Sequence, residues 1–447
     1  MTDRPHVLVL MCDQMQHQRM GFVDRLAHTP TLNRLAKEGV HFTRAYTCHG
    51  QCVPARAAFQ TGLYPHECGV MVIYDFHQHQ ARLTAKYQTI GHLFKDAGYQ
   101  TAYFGKTHFG VPLADLGYDI DGDSYPMDDE ETKEKGLEYV PKSLRCDYRA
   151  CDDAVAFLQS YTPSDQPLFM TFSTNLPHPP FFTDPTWADR FPPDDLALAP
   201  SYYPETFATK PPFQREHVVD GDHGAYAELA QYYTMIAETD AHFGRIVAEY
   251  ERLGIWNDTV VLFLADHGEM MGAHKMRLKG TLPYEELYRI PCMMKLPKGV
   301  EPKRRVVDDL ISSVQAPGTL LQAAGIDLPA QFHNGHFYDA PFRDAPPEDE
   351  HIFFEHYAAY WGIHPFYAVR TPRFKYARYY GDDACEEMYD LANDPHELTS
   401  IAADPSHAAQ RAELAQRADT WWQNTDGRDL AYYESDAFKA NEHNLAN

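Results

Sequence analysis

Three nearly uninterrupted apolar runs constrain this chain more than any other feature: residues 7–11, 168–172 and 259–265. None alternates with polar positions, so each has to be covered on both faces, as a strand inside a mostly parallel sheet is when helices flank it. The runs end alike. The first passes into Cys12-Asp13-Gln14, the second into Ser173-Thr174-Asn175-Leu176-Pro177-His178, and the third into Asp266-His267-Gly268-Glu269. A shorter strand, residues 101–104, ends in Gly105-Lys106-Thr107-His108. A parallel sheet gathers the carboxyl ends of its strands at one edge, where open α/β sheets bind their ligands.

Helical patterns alternate with these strands and complete the α/β assignment. Pro30 opens a helix that places Leu32, Leu35 and Ala36 on one face and stops at Gly39. Residues 90–97 form another, ended by Gly98, and residues 152–158 a third. The clearest spans 226–253, with Leu229, Tyr232, Ile236, Phe243, Ile246, Tyr250 and Leu253 on one stripe. Residues 111–224 are otherwise rich in Pro, Asp and Tyr and read as surface excursions that wall a pocket. Composition shifts at Ala345-Pro346-Pro347-Glu348-Asp349-Glu350. Beyond it, short strands at 352–354, 366–370, 374–379 and 387–390 suit an antiparallel sheet, and 407–422 a closing helix. The expected organisation is a catalytic α/β domain over 1–348 and a smaller α+β domain over 349–447, whose last twenty residues read as a tail or an oligomer arm.

Composition excludes some functions. At 447 residues the chain can bury a large core, and its formal charge of -25 argues against binding nucleic acid or an acidic membrane surface, both polyanions. The first apolar run is too short for a signal segment and no run reaches the length of a membrane span, so the expected location is cytoplasmic. There the eight cysteines stay reduced. Cys48 with Cys52, or Cys146 with Cys151, is half of a zinc site without a second pair.

One cysteine stands apart. In Cys52-Val53-Pro54-Ala55-Arg56, continuing to Thr61-Gly62, the proline fixes the backbone beside the thiol and residues 55–60 read as helix. The sulfur then lies just before a helix N-terminus with Arg56 one turn in, which outlines an anion site. Asp13, Gln14, Asp266 and His267 supply carboxylate, amide and imidazole donors suited to a divalent cation. Oxygen-rich ligation favours calcium, magnesium or manganese, and the histidine admits manganese or zinc. By themselves Lys106 and Lys279 read as surface lysines and His178 as structural.

The string CVPARAAFQTG followed by Leu63-Tyr64-Pro65-His66 resembles the signature of type I sulfatases of the alkaline phosphatase superfamily, in which the cysteine is oxidised to formylglycine. The likeness extends in the same order through Asp13-Gln14, Gly105-Lys106-x-His108-x-Gly110, Pro177-His178-x-Pro180, Asp266-His267-Gly268-Glu269, His274, Lys279, Tyr284-Glu285-Glu286 and Met388-Tyr389-Asp390-Leu391. It implies an alkaline-phosphatase-like fold with a small C-terminal domain, and a hydrated formylglycine at position 52 as nucleophile. It also implies a metal, usually calcium, held by Asp13, Gln14, Asp266 and His267 together with the modified side chain of Cys52. Arg56 and Lys106 would steady the diol, His108 would assist breakdown of the sulfated intermediate, and His178 and Lys279 would bind the ester oxygens and protonate the leaving group. His274 and Lys275 stay ambiguous.

The resemblance also implies partners: a small-molecule sulfate ester (aryl, alkyl or carbohydrate) and a formylglycine-generating maturation enzyme, with a homo-oligomer left open. Many sulfatases carry aspartate where Gln14 stands and asparagine where His267 stands. The Gln and His forms also occur in phosphonate monoester hydrolases, which often prefer manganese but tend to lose the residues equivalent to Lys106 and His108. The alternatives to a sulfatase are therefore a phosphonate monoester or phosphodiester hydrolase, or a non-catalytic anion-binding homologue. His49, Gln51, Tyr74, Asp75, His77, His79, Phe181 and Phe182 are expected near the pocket mouth, from their proximity in sequence to the motifs.

Overall fold

A computed structural model describes residues 4–122, 145–163, 166–181, 190–218 and 222–445. The three apolar runs form its central strands: β1 (His6–Cys12), β5 (Leu168–Ser173) and β6 (Thr259–Ala265), every residue buried. β1 lies between the other two and parallel to both, with Val9 opposite Thr171 on one side and Leu262 on the other. β2 (Val40–Tyr46), β3 (Gln100–Gly105), β4 (Ile120–Asp121), β7 (Arg289–Ile290) and β8 (Cys292–Lys295) complete the order β4-β3-β5-β1-β6-β8-β2-β7, and β9 (Val306–Ser312) pairs with β2. β7 and β8 run antiparallel to β2.

Helices cover the sheet as the patterns predict, with boundaries moved by tertiary contacts. They are α1 (Pro30–Glu38), α2 (Cys52–Thr61), α3 (Pro65–Cys68), α4 (Ile90–Asp96), α5 (Cys146–Ser160) and the long α6 (Asp222–Arg252). The α6 carboxylate Asp240 caps α1, accepting from the Thr31 and Leu32 backbone N–H groups at 2.9 and 2.8 Å. α1 has no side-chain cap of its own, so this distant carboxylate satisfies the free N–H groups of its first turn. Among the described residues no helix is long and apolar enough to cross a membrane.

A second sheet, β10 (Ile352–Ala359), β11 (Gly362–Arg370), β12 (Phe374–Tyr379) and β13 (Glu386–Asp390), is antiparallel in chain order, backed by the helix Ala408–Asn424. Polar bonds tie it to the first. Glu355 on β10 accepts from His66 Nδ1 at 2.5 Å, and Lys375 on β12 lies 3.4 Å from Glu285, which precedes β7. Of the last twenty residues, expected as a tail or arm, those described, 428–445, fold back on the chain instead. Asn444 donates to the Cys68 carbonyl oxygen at 2.9 Å and accepts from the Tyr87 hydroxyl at 3.0 Å, and Phe438 is buried.

Candidate active site

The four strand ends converge at one edge of the large sheet. Asp13 and Gln14 follow β1, Lys106 and His108 follow β3, His178 follows β5, and Asp266 and His267 follow β6. Gly105 makes the β3 exit close: at φ +90°, a Cβ there would stand 2.0 Å from the Ser173 carbonyl oxygen. That approach lets the Lys106 backbone N–H reach the same oxygen at 2.8 Å.

Cys52 begins α2 rather than preceding it, so its sulfur sits at the positive end of the helix. It is fully buried, and Lys279 Nζ donates to Sγ at 3.0 Å. The same ammonium donates to Gln14 Oε1 at 2.7 Å and lies 3.2 Å from His267 Nε2. Burial opposes the thiolate, but Lys279, Lys106 and the hydrogen-bonding His108 and His178 outweigh it and hold the thiol well below its ordinary range. The site is built to stabilise negative charge on residue 52.

Arg56 is buried behind the metal-type carboxylates. Its Nε donates to Asp266 Oδ2 at 2.8 Å, and its Nη1 donates to Ser173 Oγ at 2.9 Å and the Lys106 carbonyl oxygen at 3.0 Å. The Lys106 ammonium is bonded to Asp13 Oδ2. Both cations, expected to steady the diol, are thus placed on the carboxylates, and they reach residue 52 through space. Burial opposes ionisation of Asp13, yet Lys106, His178 and Lys279 keep its carboxyl well below the carboxylate range.

His178 Nδ1 donates to the Pro179 carbonyl oxygen at 2.5 Å, which turns Nε2 toward residue 52. His108 stands at φ +55° with Tyr74 edge-on at 5.6 Å. His274 and Lys275, left open by the sequence, serve structure: His274 Nδ1 meets Glu205 Oε2 at 2.5 Å, and Lys275 donates to the Glu205 carbonyl oxygen at 3.2 Å. The expected pocket mouth is only partly right. His49, Gln51 and His79 are fully buried in the core, His49 stacked on His356 at 4.6 Å and His79 edge-on to Tyr357 and Phe438 at 5.2 and 5.8 Å. Tyr74 is half-buried, Asp75 exposed, and His77 is tied to the Ala359 carbonyl oxygen at 3.0 Å, while Phe182 lies outside the described residues.

A divalent cation fits the donor set. Asp13, Cys52, Asp266 and His267 offer ligand atoms all within 4.8 Å of one another. Asp13 Oδ1 is buried with no hydrogen-bond partner and faces His267 Nε2 at 3.4 Å. His267 Nδ1 donates to the Gly268 carbonyl oxygen at 2.8 Å, which leaves Nε2 with its lone pair inward, the arrangement expected of a metal-binding imidazole. Asp266 Oδ1 takes the Gln14 and His267 backbone N–H groups at 3.0 and 2.8 Å, fixing both neighbours around it.

Two contributors carried no role in the sequence reading. Ser173, the last residue of β5, holds Arg56. Glu269, fully buried, accepts from the Gln14 side-chain amide and from the backbone N–H groups of Met271, at 3.0 Å, and Leu278. Their position at strand ends was readable; their partners lie far away in sequence.

The family described as Sulfatase matches residues 5–326, and the one described as N-sulphoglucosamine sulphohydrolase, C-terminal, matches residues 272–424. The chain is 28% identical to the uncharacterized sulfatase YidJ of Escherichia coli (strain K12), over 92% of this chain and 86% of that protein. It is also 28% identical to the choline-sulfatase of Rhizobium meliloti (strain 1021), over 98% and 90% of the two chains. In fold it is similar to the phosphonate monoester hydrolase of Agrobacterium radiobacter, with a TM-score of 0.78 at 23% identity over 96% of this chain and 97% of that one.

Proposed function

This chain belongs to the sulfatase family and is a sulfuric ester hydrolase, and from that premise we propose that it cleaves a small sulfate ester with formylglycine made from Cys52 and one divalent cation. The observation that carries the proposal is the convergence on residue 52: Lys279 Nζ lies 3.0 Å from Sγ, inside a ring of ligand atoms from Asp13, Asp266 and His267.

Asp13, Gln14, Asp266 and His267 would hold the cation, calcium by its oxygen-rich donors, with manganese, magnesium or zinc as alternatives. Oxidation of the Cys52 thiol by a maturation enzyme would give the formylglycine aldehyde, water adding to it would give a gem-diol whose hydroxyl is the nucleophile, and the cation would supply fixed positive charge that lowers its pKa and stabilises the anionic transition state. Lys106 and Arg56 keep Asp13 and Asp266 ionised and in place. Lys279 binds the ester oxygens and protonates the departing alkoxide or phenoxide. His178 shares that side but is the poorer donor, because Nδ1–H is committed to the Pro179 carbonyl oxygen and burial disfavours the imidazolium whose Nε2 proton would be given up. His108 takes a proton from residue 52 as sulfate leaves. These residues all fall within 1–348, the catalytic portion, with 349–447 as support.

Gln14 and His267 favour a second reading, a phosphonate monoester or phosphodiester hydrolase, and Lys106 with His108 favours sulfate. The deciding experiment first verifies formylglycine at position 52 by peptide mass. It then compares kcat/KM on an aryl sulfate, a phosphonate monoester and a phosphodiester sharing one leaving group, with Cys52→Ala as the blank. Sulfate preference is expected; a preference for either phosphorus ester overturns the assignment.

A further inference from the structure

An open recess of about 560 Å³ is lined by the chain segments next to His178 and Lys279. Two of its walls continue the chain from the residues that handle the ester oxygens: Pro179 and Phe181 follow His178, and Arg277 and Leu278 precede Lys279. The third wall is Trp361, at the tip of the hairpin between β10 and β11. The edge of its six-membered ring abuts Gly280: a Cβ there would stand 2.3 Å from Cζ3 and 2.4 Å from Cε3, so glycine lets the indole in. Trp361 is half-buried and leaves a face toward the recess.

The polar side of the recess is specific. His217 lies against Trp361 with ring centroids 4.5 Å apart and ring planes tilted by 31°, is 4% exposed, and neither of its ring nitrogens has a hydrogen-bond partner. A buried imidazole left this way costs free energy unless a ligand or water meets it. Burial lowers its pKa to about 4, so at neutral pH it presents one N–H and one lone pair, a match for hydroxyl groups rather than for an anion. Arg277 is paired with Glu228 at 2.8 Å, and Glu216 adds a second carboxylate. Among the described lining residues the charge is therefore two carboxylates against one guanidinium.

We propose that this recess is the leaving-group subsite and that it takes an uncharged, hydroxyl-bearing ring, a neutral sugar, seated on Trp361 with a hydroxyl on His217, while it discriminates against uronate-bearing leaving groups. The proposal rests on the sulfatase reading. An aromatic platform with a few convergent polar groups in a volume of this size is the usual make-up of a small-ligand pocket. Trp361 and His217 act as specificity residues and do not touch the sulfur.

The test uses the full-length enzyme with formylglycine verified at 52 and three probes: para-nitrophenyl sulfate, a set of glucose and galactose monosulfates, and a monosulfated disaccharide containing glucuronate. Wild-type enzyme is expected to prefer at least one neutral sugar sulfate over the uronate by about ten-fold or more in kcat/KM. Trp361→Ala and His217→Ala should each lower kcat/KM on that sugar by about ten-fold while para-nitrophenyl sulfate changes less than about three-fold. Equal losses on both substrates, no loss on the sugar, or a preference for the uronate overturns the proposal. Failure of the sulfatase reading looks different: the mature enzyme turns over none of the sulfates. Calorimetry of the Cys52→Ala chain with the same sugar monosulfates then decides the recess, since binding that Trp361→Ala abolishes sustains it and no binding at millimolar concentration overturns it.

Discussion

The side-chain amide of Gln14 is clamped between two buried partners of opposite character: its Nε2 donates to Glu269 and its Oε1 accepts from Lys279 at 2.7 Å. Glu269 accepts only, so it fixes which end of the amide points into the cation site. An aspartate at 14 would instead set one carboxylate against another in the core. The chain's choice of glutamine over aspartate thus has a local cause. Glu269→Gln should let the amide turn and weaken Ca2+ or Mn2+ binding by about 10–100-fold. Gln14→Asp should be worse in the wild-type background than with Glu269→Gln, and metal titration calorimetry of the four proteins measures that coupling. Additive effects would remove the clamp from the argument.

Lys279 meets the thiol, the Gln14 amide oxygen and the His267 ring with one ammonium, so its removal costs both charge and a proton donor. Lys279→Ala is expected to lower kcat by about 10²–10⁴-fold on an ester with a poor leaving group. The loss should shrink as the leaving group's own pKa falls. His178→Ala should show a flatter dependence, because its ring is oriented by the Pro179 carbonyl. A series of aryl sulfates of graded phenol acidity reads both slopes, and identical slopes would make the assignment of Lys279 as acid untenable.

What was legible in the sequence is what short-range pattern carries. Buried parallel strands show as apolar runs, and Asp13, Lys106, His178 and Asp266 could be placed at one sheet edge because each follows such a run. Residues 374–379 of the second sheet and the start of its first strand at Ile352 were also readable, as short pieces beyond the composition shift at 345–350. Hidden were the partnerships across the fold. Nothing near Asp240 says that it caps a helix some 200 positions earlier, and nothing near Glu269 says that it holds Gln14. His49, Gln51 and His79 look like pocket residues by neighbourhood and are core residues by packing. Trp361 belongs to no motif in the sequence, and only the return of the β10–β11 hairpin to Gly280 gives it a role.

Arg56 joins three strand ends through Asp266, Ser173 and the Lys106 carbonyl oxygen, with the guanidinium wholly buried. Replacing it with Met strands the Asp266 carboxylate without its cation. Removing one partner of a buried pair costs about 3–5 kcal/mol. Urea unfolding of Arg56→Met should show a loss of that order with an unchanged m-value, whereas Arg56→Lys should recover only part, lacking the second nitrogen that reaches Ser173. A midpoint within error of wild type would mean that the pair is not structural.

His66, at the start of α3, donates through Nδ1 to Glu355 on β10 at 2.5 Å and faces Thr425 Oγ1 at 2.9 Å, which makes it a hinge pin between the two sheets. Burial works against its charged form, but Glu355 outweighs burial and raises the imidazole pKa above its ordinary value. A raised folded-state pKa stabilises the fold fully below the unfolded value of about 6.5 and loses that contribution as pH rises through the folded value. The difference in unfolding free energy between wild type and His66→Asn should therefore be largest on the acid side and narrow as pH climbs past neutrality. The His66 backbone N–H, which bonds Glu355 Oε1 at 2.8 Å, survives the substitution and keeps the carboxylate partly satisfied. Denaturant curves for both proteins across that range test the sign, and a gap that widens with pH would show the pair to be uncharged.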